Sequence, residues 1–176
     1  LIISIGGGSV MDLSKIANVT FENDNLKERI MNNNIFFKKQ YCDLIAIPTT
    51  AGSGAEVTTN AVIYVKNVKS SVENELIKPT YMALFPELVM QNKNLKMIQS
   101  SAFDSFAQAV ESMFSVKSTD ESLLNSKKSI KLFLANYKKF LSKKSIKNAY
   151  NLSLSAYYSG KAISISKTIA PHAVSY

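Results

Sequence analysis

The chain has 176 residues, of which 46% are hydrophobic, and its formal net charge at pH 7 is +8. This length and composition suit one globular domain or two small ones, and no apolar run approaches the ~20 residues that span a bilayer. The single cysteine, Cys42, excludes an internal disulfide framework, so we expect a reducing, cytoplasmic setting.

A run of three glycines follows the first predicted strand. Residues 1–5 are apolar and of strand type, and Gly6–Gly8, which we call the glycine turn, come next. A helix is predicted from Ser9, with Ser9 as its N-cap and Asp12 completing a capping box. Glycines let the backbone approach an anion closely, and the start of a helix favours negative charge. The layout predicts a phosphate site, with a tight turn that binds nothing as the alternative.

A second loop of small residues follows the second predicted strand. Residues 43–48 form that strand, which Pro48 ends, and residues 49–59, which we call the threonine loop, are rich in threonine, serine and glycine. Ligands of open α/β sheets bind beyond the carboxyl ends of the strands. Alone, this loop is equally consistent with a flexible polar connection. Two such loops after two successive strands favour a nucleotide site.

The character of the chain changes near residue 90. Before it, further strands are predicted at 61–65 and 81–85, separated by a polar connection; after it, apolar residues recur with helical periodicity. We therefore predict a partial α/β dinucleotide-binding domain over residues 1–90 and a partial α-helical domain over residues 91–176. The chain begins within a strand and without Met, which indicates an internal piece of a longer polypeptide.

A polar stripe runs along the helix predicted over residues 98–114. Its members recur at helical spacing on one face, and they are Ser101, Asp104, Gln108, Glu111 and Ser115. Charged residues usually lie on exposed faces, so the residues alone favour a solvent-facing stripe. The alternative is a ligand site, in which Asp104 is an acceptor suited to a metal and Gln108 hydrogen-bonds a ligand or a water.

The lysines are densest between Lys127 and Lys147. Apolar residues lie among them at roughly helical spacing, and they are Ile130, Phe133, Leu134, Tyr137, Phe140 and Leu141. This pattern predicts an amphipathic helix with its lysines in water, so we expect no nucleic-acid partner. Attraction of anionic substrates is a weaker consequence of the net positive charge.

His172 is the only imidazole in the sequence. A lone histidine is more often structural than a metal ligand. Zinc or iron usually needs more than two protein ligands, so one Asp and one His would have to be joined by a ligand from outside this segment.

Together, these segments resemble the iron-containing alcohol dehydrogenase family. The phosphate motif of that family is similar to Gly-Gly-Gly-Ser-x-x-Asp-x-Ala-Lys, which Gly6–Lys15 match with Ser14 in the alanine place. The second motif is similar to Pro-Thr-Thr-Ala-Gly-Thr-Gly-Ser-Glu-Val-Thr, which residues 48–58 match with Ser53 for Thr and Ala55 for Ser. The resemblance continues through the helix of the polar stripe, and thus covers nearly the whole chain.

The resemblance implies a dehydroquinate synthase-like fold, in which an α/β nucleotide-binding part precedes an all-α metal-binding part, both incomplete here. It also implies NAD or NADP as cofactor and a divalent metal, iron or zinc. The implied cofactor-binding residues are Gly7, Gly8, Ser9, Asp12, Thr49, Thr50, Ser53 and Lys69. The implied metal ligands are Asp104 and His172, with Gln108 where the family's alcohol dehydrogenases usually have His, and no catalytic residue beyond the ligands is implied.

Departures from the family pattern concern the metal site and the substrate. The glycerol dehydrogenase branch manages with one Asp and two His, so Gln108 is compatible with a metal. Tyr176 stands where a second, non-ligand His near the nicotinamide is common, and the last His ligand would lie just past it. The run Lys167–Tyr176 is similar to a branch that reduces phosphonoacetaldehyde.

The function implied by the resemblance is that of a metal-dependent, NAD(P)-linked alcohol dehydrogenase or aldehyde reductase, which transfers hydride to a metal-polarised carbonyl. Phosphonoacetaldehyde is one candidate substrate. The alternatives are a dehydroquinate synthase-like or glycerol dehydrogenase-like enzyme and a truncated remnant without catalysis. We expect a small-molecule alcohol or aldehyde substrate, no membrane partner and a homodimer of the full-length protein, with the segment alone inactive.

Overall fold

The computed structural model describes residues 1–20, 24–32 and 34–167, so the predictions for His172 and Tyr176 lie outside the described residues. The strands of the described part are β1 (Ile2–Gly6), β2 (Leu44–Pro48), β3 (Asn60–Val65), β4 (Val68–Glu73) and β5 (Tyr81–Met82). Its α-helices are α1 (Gly8–Thr20), α2 (Leu26–Met31), α3 (Pro86–Gln91), α4 (Leu95–Phe114), α5 (Asp120–Ser142) and α6 (Ile146–Ser166).

The described strands form two sheets. β1, β2 and β5 pair in parallel, in the order β1-β2-β5, whereas β3 and β4 form an antiparallel hairpin. These strands precede α3–α6, so the predicted α/β part followed by a helical part is confirmed; the domain boundary near residue 90 stays a prediction. Because Gly6 pairs with Pro48, β1 and β2 end side by side. The glycine turn and the threonine loop therefore leave the sheet at the same edge.

The strands differ from the prediction at two places. The polar connection expected after β3 contains β4, because Lys66 and Asn67 adopt positive φ angles of 50° and 63° and form a two-residue hairpin turn. β4 is largely polar and partly exposed, so no apolar run marks it. β5 is shorter than the strand predicted over 81–85, because the chain turns into α3, whose first residue is Pro86.

The threonine loop is seated on the helical part of the molecule. Its Ala51 lies in one hydrophobic cluster with residues of α3–α6, which include Val89, Ile98, Ala102, Phe133, Phe140, Ala149 and Leu152. Gly54 has a φ of 65°, and a Cβ on it would lie 2.6 Å from the Cα of Gly160 in α6. The loop and α6 thus approach as closely as two glycines allow, which fixes the loop against the helices.

The amphipathic helix among the lysines is present, and every lysine of α5 is exposed, which confirms the solvated face. Phe133 is buried, but Leu134 is 66% exposed and does not belong to the apolar face. The helix predicted between Lys127 and Lys147 is interrupted, because the side chain of Ser145 accepts a hydrogen bond from the Asn148 N–H and begins α6. None of the described helices combines the length and apolar character that crossing a bilayer requires.

Candidate functional site

A cavity of about 270 Å³ lies where α1, the threonine loop, the β3–β4 hairpin and α4 meet. Most of the predicted site residues line it, namely Gly8, Ser9, Asp12, Ser53, Lys69, Asp104 and Gln108. The other lining residues are Ala55, Thr58, Asn60, Val62, Tyr64 and Ile163. Residues expected at a cofactor and the aspartate expected at a metal therefore share one cavity.

Gly7, Thr49 and Thr50 lie beside this cavity rather than on its wall. A Cβ on Gly7 would lie 3.5 Å from the Oγ1 of Thr50. The N–H of Thr49 donates to the carbonyl of Gly6 at 2.9 Å. These contacts join the start of the threonine loop to the glycine turn beside the cavity.

Gly8 sets how closely the two loops approach. A Cβ on Gly8 would lie 2.8 Å from the Oγ of Ser53, so a larger residue there would push the threonine loop away. The N–H groups of Val10 and Met11 both donate to the carbonyl of Gly7. α1 therefore begins at Gly8. The backbone N–H groups of its first turn point out of its N-terminal end, which is the end of a helix that binds anions.

Asp12 reaches out from α1 and does not cap it. Its Oδ2 accepts a hydrogen bond from the Val62 N–H at 3.0 Å, and its Oδ1 lies 3.4 Å from the Nζ of Lys15. The predicted capping box of Ser9 and Asp12 is therefore wrong, because Ser9 lies inside the first turn and other groups occupy the carboxylate. Burial raises the pKa of Asp12, and the charge of Lys15 opposes that rise.

Lys15 was not among the predicted site residues, although it ends the glycine motif. Its side chain is fully buried, and its Nζ donates to the Oγ1 of Thr58 and to the carbonyl of Asn60, both at 2.9 Å. Burial lowers the pKa of Lys15, and the carboxylate of Asp12 opposes the change. A sequence signal exists, because Lys15 falls at four-residue spacing between apolar Met11 and Val19, on the buried face of α1.

Glu56 is a second buried ionisable group that the sequence left without a role. It is 3% exposed, and its Oε1 has no hydrogen-bond partner within the described part of the chain. Burial raises its pKa to about 7, although its own backbone N–H and the nearby charge of Lys15 act in the opposite direction. A carboxyl group with this pKa changes its charge near neutral pH.

The polar stripe of α4 faces the protein interior, so the solvent-facing interpretation is wrong. Gln108 is 5% exposed and Glu111 is 6% exposed, because α6 packs on this side of α4. The Oγ of Ser159 in α6 donates to the Oε1 of Gln108 at 3.2 Å. Whether a polar stripe is buried depends on which other helix packs on it. The spacing of polar residues within α4 alone does not predict that neighbour.

The amide of Gln108 is oriented by three neighbours. Its Nε2 donates to the Oδ2 of Asp104 at 3.2 Å and to the carbonyl of Ser53 at 3.4 Å, while its Oε1 accepts from Ser159. Both atoms near Nε2 are acceptors, which fixes the amide with its nitrogen toward Asp104. Gln108 therefore presents no ligand atom to a metal held by Asp104.

Lys69 of β4 contributes a positively charged side chain to the cavity wall. Lys69 stands opposite Tyr64 in the β3–β4 ladder, and directly opposite residues of an antiparallel pair share a face. Both side chains line the cavity, which also holds the carboxylates of Asp12 and Asp104. The cavity wall thus combines a cation, two carboxylates, hydroxyl groups and the first turn of a helix.

The amino-acid sequence shares a known family pattern in its first half. The family profile described as iron-containing alcohol dehydrogenase matches residues 1–86. The 4-hydroxybutyrate dehydrogenase of Clostridium kluyveri is 28% identical, over 99% of this chain and 47% of that protein. Residues 1–86 therefore belong to the iron-containing alcohol dehydrogenase family. The phosphonoacetaldehyde reductase of Streptomyces viridochromogenes is also 28% identical, over 99% of this chain and 46% of that protein.

A solved structure shows the same fold as this chain. The sulfoacetaldehyde reductase of Bifidobacterium kashiwanohense, solved in complex with NAD+, superposes with a TM-score of 0.92 at 24% identity, over 99% of this chain and 47% of that chain. This likeness confirms the predicted fold. The chain spans about half the length of the curated relatives it matches.

Proposed function

We propose that the full-length protein is an NAD(P)-linked alcohol dehydrogenase or aldehyde reductase. The observation that carries the proposal is one cavity, which the glycine turn, the threonine loop and Asp104 line together. The first half of this chain matches the iron-containing alcohol dehydrogenase family. The runner-up, a non-catalytic remnant, requires no such convergence of loops from two parts of the chain.

The cavity fits a dinucleotide in three respects. Gly6 and Gly8 of the glycine turn leave no room for side chains, the first turn of α1 offers N–H groups to a pyrophosphate, and hydroxyl groups of Ser9 and Ser53 are available for hydrogen bonds. We propose that Gly7, Gly8 and Ser9 hold the pyrophosphate. Thr49, Thr50 and Ser53 then position the sugars and the carboxamide, and Lys69 supplies positive charge. When bound, the nicotinamide supplies hydride to the carbonyl carbon of the substrate.

The proposed metal site is less complete than the proposed dinucleotide site within the described residues. They contain no group of three His, Cys, Asp or Glu side chains arranged to hold one ion, and Gln108 turns its nitrogen toward Asp104. These residues alone do not fit the ligand set of zinc or iron. Asp104 and His172 remain our proposed ligands, and at least one further ligand has to come from elsewhere in the full-length protein.

We propose a short aldehyde with an anionic group as substrate, with phosphonoacetaldehyde as the first candidate. The support is chemical: relatives are named for 4-hydroxybutyrate, phosphonoacetaldehyde and sulfoacetaldehyde, which carry a carboxylate, a phosphonate and a sulfonate. The net charge of +8 favours the approach of such anions.

A substrate panel tests this proposal with the full-length protein. NADH and NADPH oxidation would be followed with phosphonoacetaldehyde, sulfoacetaldehyde and succinic semialdehyde, and with propanal as the uncharged control. We expect kcat/KM for at least one anionic aldehyde to exceed that for propanal by about tenfold or more, because one added ionic contact contributes on that scale. Equal values would contradict the anionic class. Folded protein that oxidises neither nucleotide with any of the aldehydes would favour the remnant.

A further inference from the structure

Lys15 lies beneath the cavity, about two helical turns along α1 from the glycine turn. A fully buried lysine is uncommon, because taking an ammonium group out of water is costly unless it is paired and hydrogen-bonded. The side chain of Lys15 is 0% exposed. Its burial therefore needs a compensating set of acceptors, and their positions show what the residue holds together.

The ammonium group of Lys15 meets three acceptors from different parts of the chain. They are the Oγ1 of Thr58 at the end of the threonine loop, the carbonyl of Asn60 at the start of β3, and the Oδ1 of Asp12 on α1. An ammonium group has three N–H donors, so this set uses all of them. The second oxygen of Asp12 accepts from the N–H of Val62. Two side chains of α1 thus hold alternate residues of the segment 58–62.

The threonine loop is held to the glycine-turn unit at both ends. At its start, the Thr49 N–H donates to the Gly6 carbonyl, in line with the pairing of β1 and β2. At its end, the attachment depends on Lys15 and Asp12. Between these ends the loop carries Ser53 and Ala55 on the cavity wall, opposite Gly8 and Ser9. The distance between the two walls therefore depends partly on this buried attachment, alongside the contacts of Gly54 with α6 and of the Ser53 carbonyl with Gln108.

We infer that Lys15 is a positioning residue that holds the threonine loop at the correct distance from the glycine turn, an inference that rests on the proposed dinucleotide site. Lys15 lies below the cavity and is not among its lining residues, so it acts through Thr58, Asn60 and Asp12. Its loss takes a donor from three acceptors and weakens the attachment of the end of the loop to α1.

Two measurements on the full-length protein test this role. Hydrogen exchange of residues 49–59 would be measured in the cofactor-free protein, and NADH affinity would be measured by fluorescence titration. In Lys15→Met, which keeps an unbranched side chain shorter by one atom and removes its donors, we expect exchange in the threonine loop to rise and Kd for NADH to increase, each by about tenfold. Thr58→Val removes one contact, and we expect about a threefold increase in Kd.

The matched control is Val19→Ala, one turn further along the same buried face of α1. Val19 is 1% exposed and packs in a core cluster that contains no residue of the threonine loop, so its truncation should lower the melting temperature and leave the hydrogen bond of Thr58 to Lys15 in place. We expect wild-type exchange in residues 49–59 and wild-type NADH affinity. If Lys15→Met lowers the melting temperature as Val19→Ala does, yet keeps wild-type loop exchange and Kd, Lys15 is merely a core residue and the inference is overturned.

The outcomes also separate this inference from the proposed function. Should Lys15→Met fail to fold, Thr58→Val decides, and unchanged loop exchange and Kd in that variant would overturn the inference. A wild-type protein that binds no dinucleotide would overturn the proposed function. In that case the exchange comparison between Lys15→Met and Val19→Ala still decides whether Lys15 holds the loop.

Discussion

Glu56 is the residue whose ionisation should be visible in the stability of the protein. Its pKa is raised from an ordinary value of 4.5 to about 7, chiefly by burial. The folded state therefore binds more protons than the unfolded state between these two pH values, and the free energy of unfolding falls as pH rises through that window. Above about pH 7 the loss is complete and amounts to at most about 3 kcal/mol.

Glu56→Gln should remove this dependence, because the amide is isosteric and stays neutral. Wild type and variant should be similarly stable near pH 4.5, and the variant should become the more stable one by pH 8. Urea unfolding of both proteins across this range measures the difference. Glu28→Gln, at an exposed glutamate of α2, is the control and should follow the wild-type curve. Parallel curves for wild type and Glu56→Gln would show that Glu56 is not held in a buried, raised-pKa state.

At the scale of helices, strands and loops, the sequence correctly predicts the features that depend only on residues close together in the chain. β1 and β2 follow from apolar runs that end at glycine or proline, and the two loops follow from those endings. The errors concern partners that are distant in sequence. Asp12 was assigned to its own helix because Val62 lies 50 residues further on. Gln108 was assigned to solvent because its partner Ser159 lies 51 residues away. The hydrogen bonds of Lys15 to Thr58 and Asn60 also join residues that are 43 and 45 positions apart.

Two glycines of these loops should respond differently to alanine. Gly54→Ala places a Cβ at a φ of 65° and 2.6 Å from Gly160, so we expect a loss of about 2 kcal/mol or more in unfolding free energy and weaker NADH binding. Gly7→Ala meets only Thr50, at an ordinary contact distance of 3.5 Å. It should stay within about 1 kcal/mol of wild type, yet lose about tenfold in NADH affinity, because an added methyl group would hinder the close approach of a pyrophosphate to the Gly7 backbone that we propose.

Thermal unfolding and fluorescence titration on both variants check this contrast. The comparison separates a glycine required for packing from a glycine required for ligand access. A Gly7→Ala protein that is stable and binds NADH as tightly as wild type would contradict the placement of a pyrophosphate at the glycine turn. A Gly54→Ala protein of wild-type stability would contradict the close contact between the threonine loop and α6.

At the scale of the whole molecule, the described residues supply the cavity of the proposed dinucleotide site and one carboxylate of the proposed metal site. Dinucleotide binding and aldehyde reduction should therefore respond differently to loss of the metal. Under the proposed function, dinucleotide affinity should depend on α1 and the threonine loop, whereas turnover should depend additionally on metal ligands from other parts of the full-length chain. Loss of metal should abolish aldehyde reduction while NADH binding persists.

Exhaustive chelation of the full-length protein, followed by return of zinc or ferrous iron, tests this separation. We expect NAD(P)H oxidation with an aldehyde to be lost on chelation and to return with one of the two metals. Asp104→Ala should lower kcat by about a hundredfold or more, because it removes a proposed ligand, and should retain NADH binding. Asp43→Ala, at an exposed carboxylate, should leave both unchanged. Full activity after chelation would contradict the metal assignment of Asp104 and His172, while leaving the dinucleotide site, which is built from other residues, to stand on its own titrations.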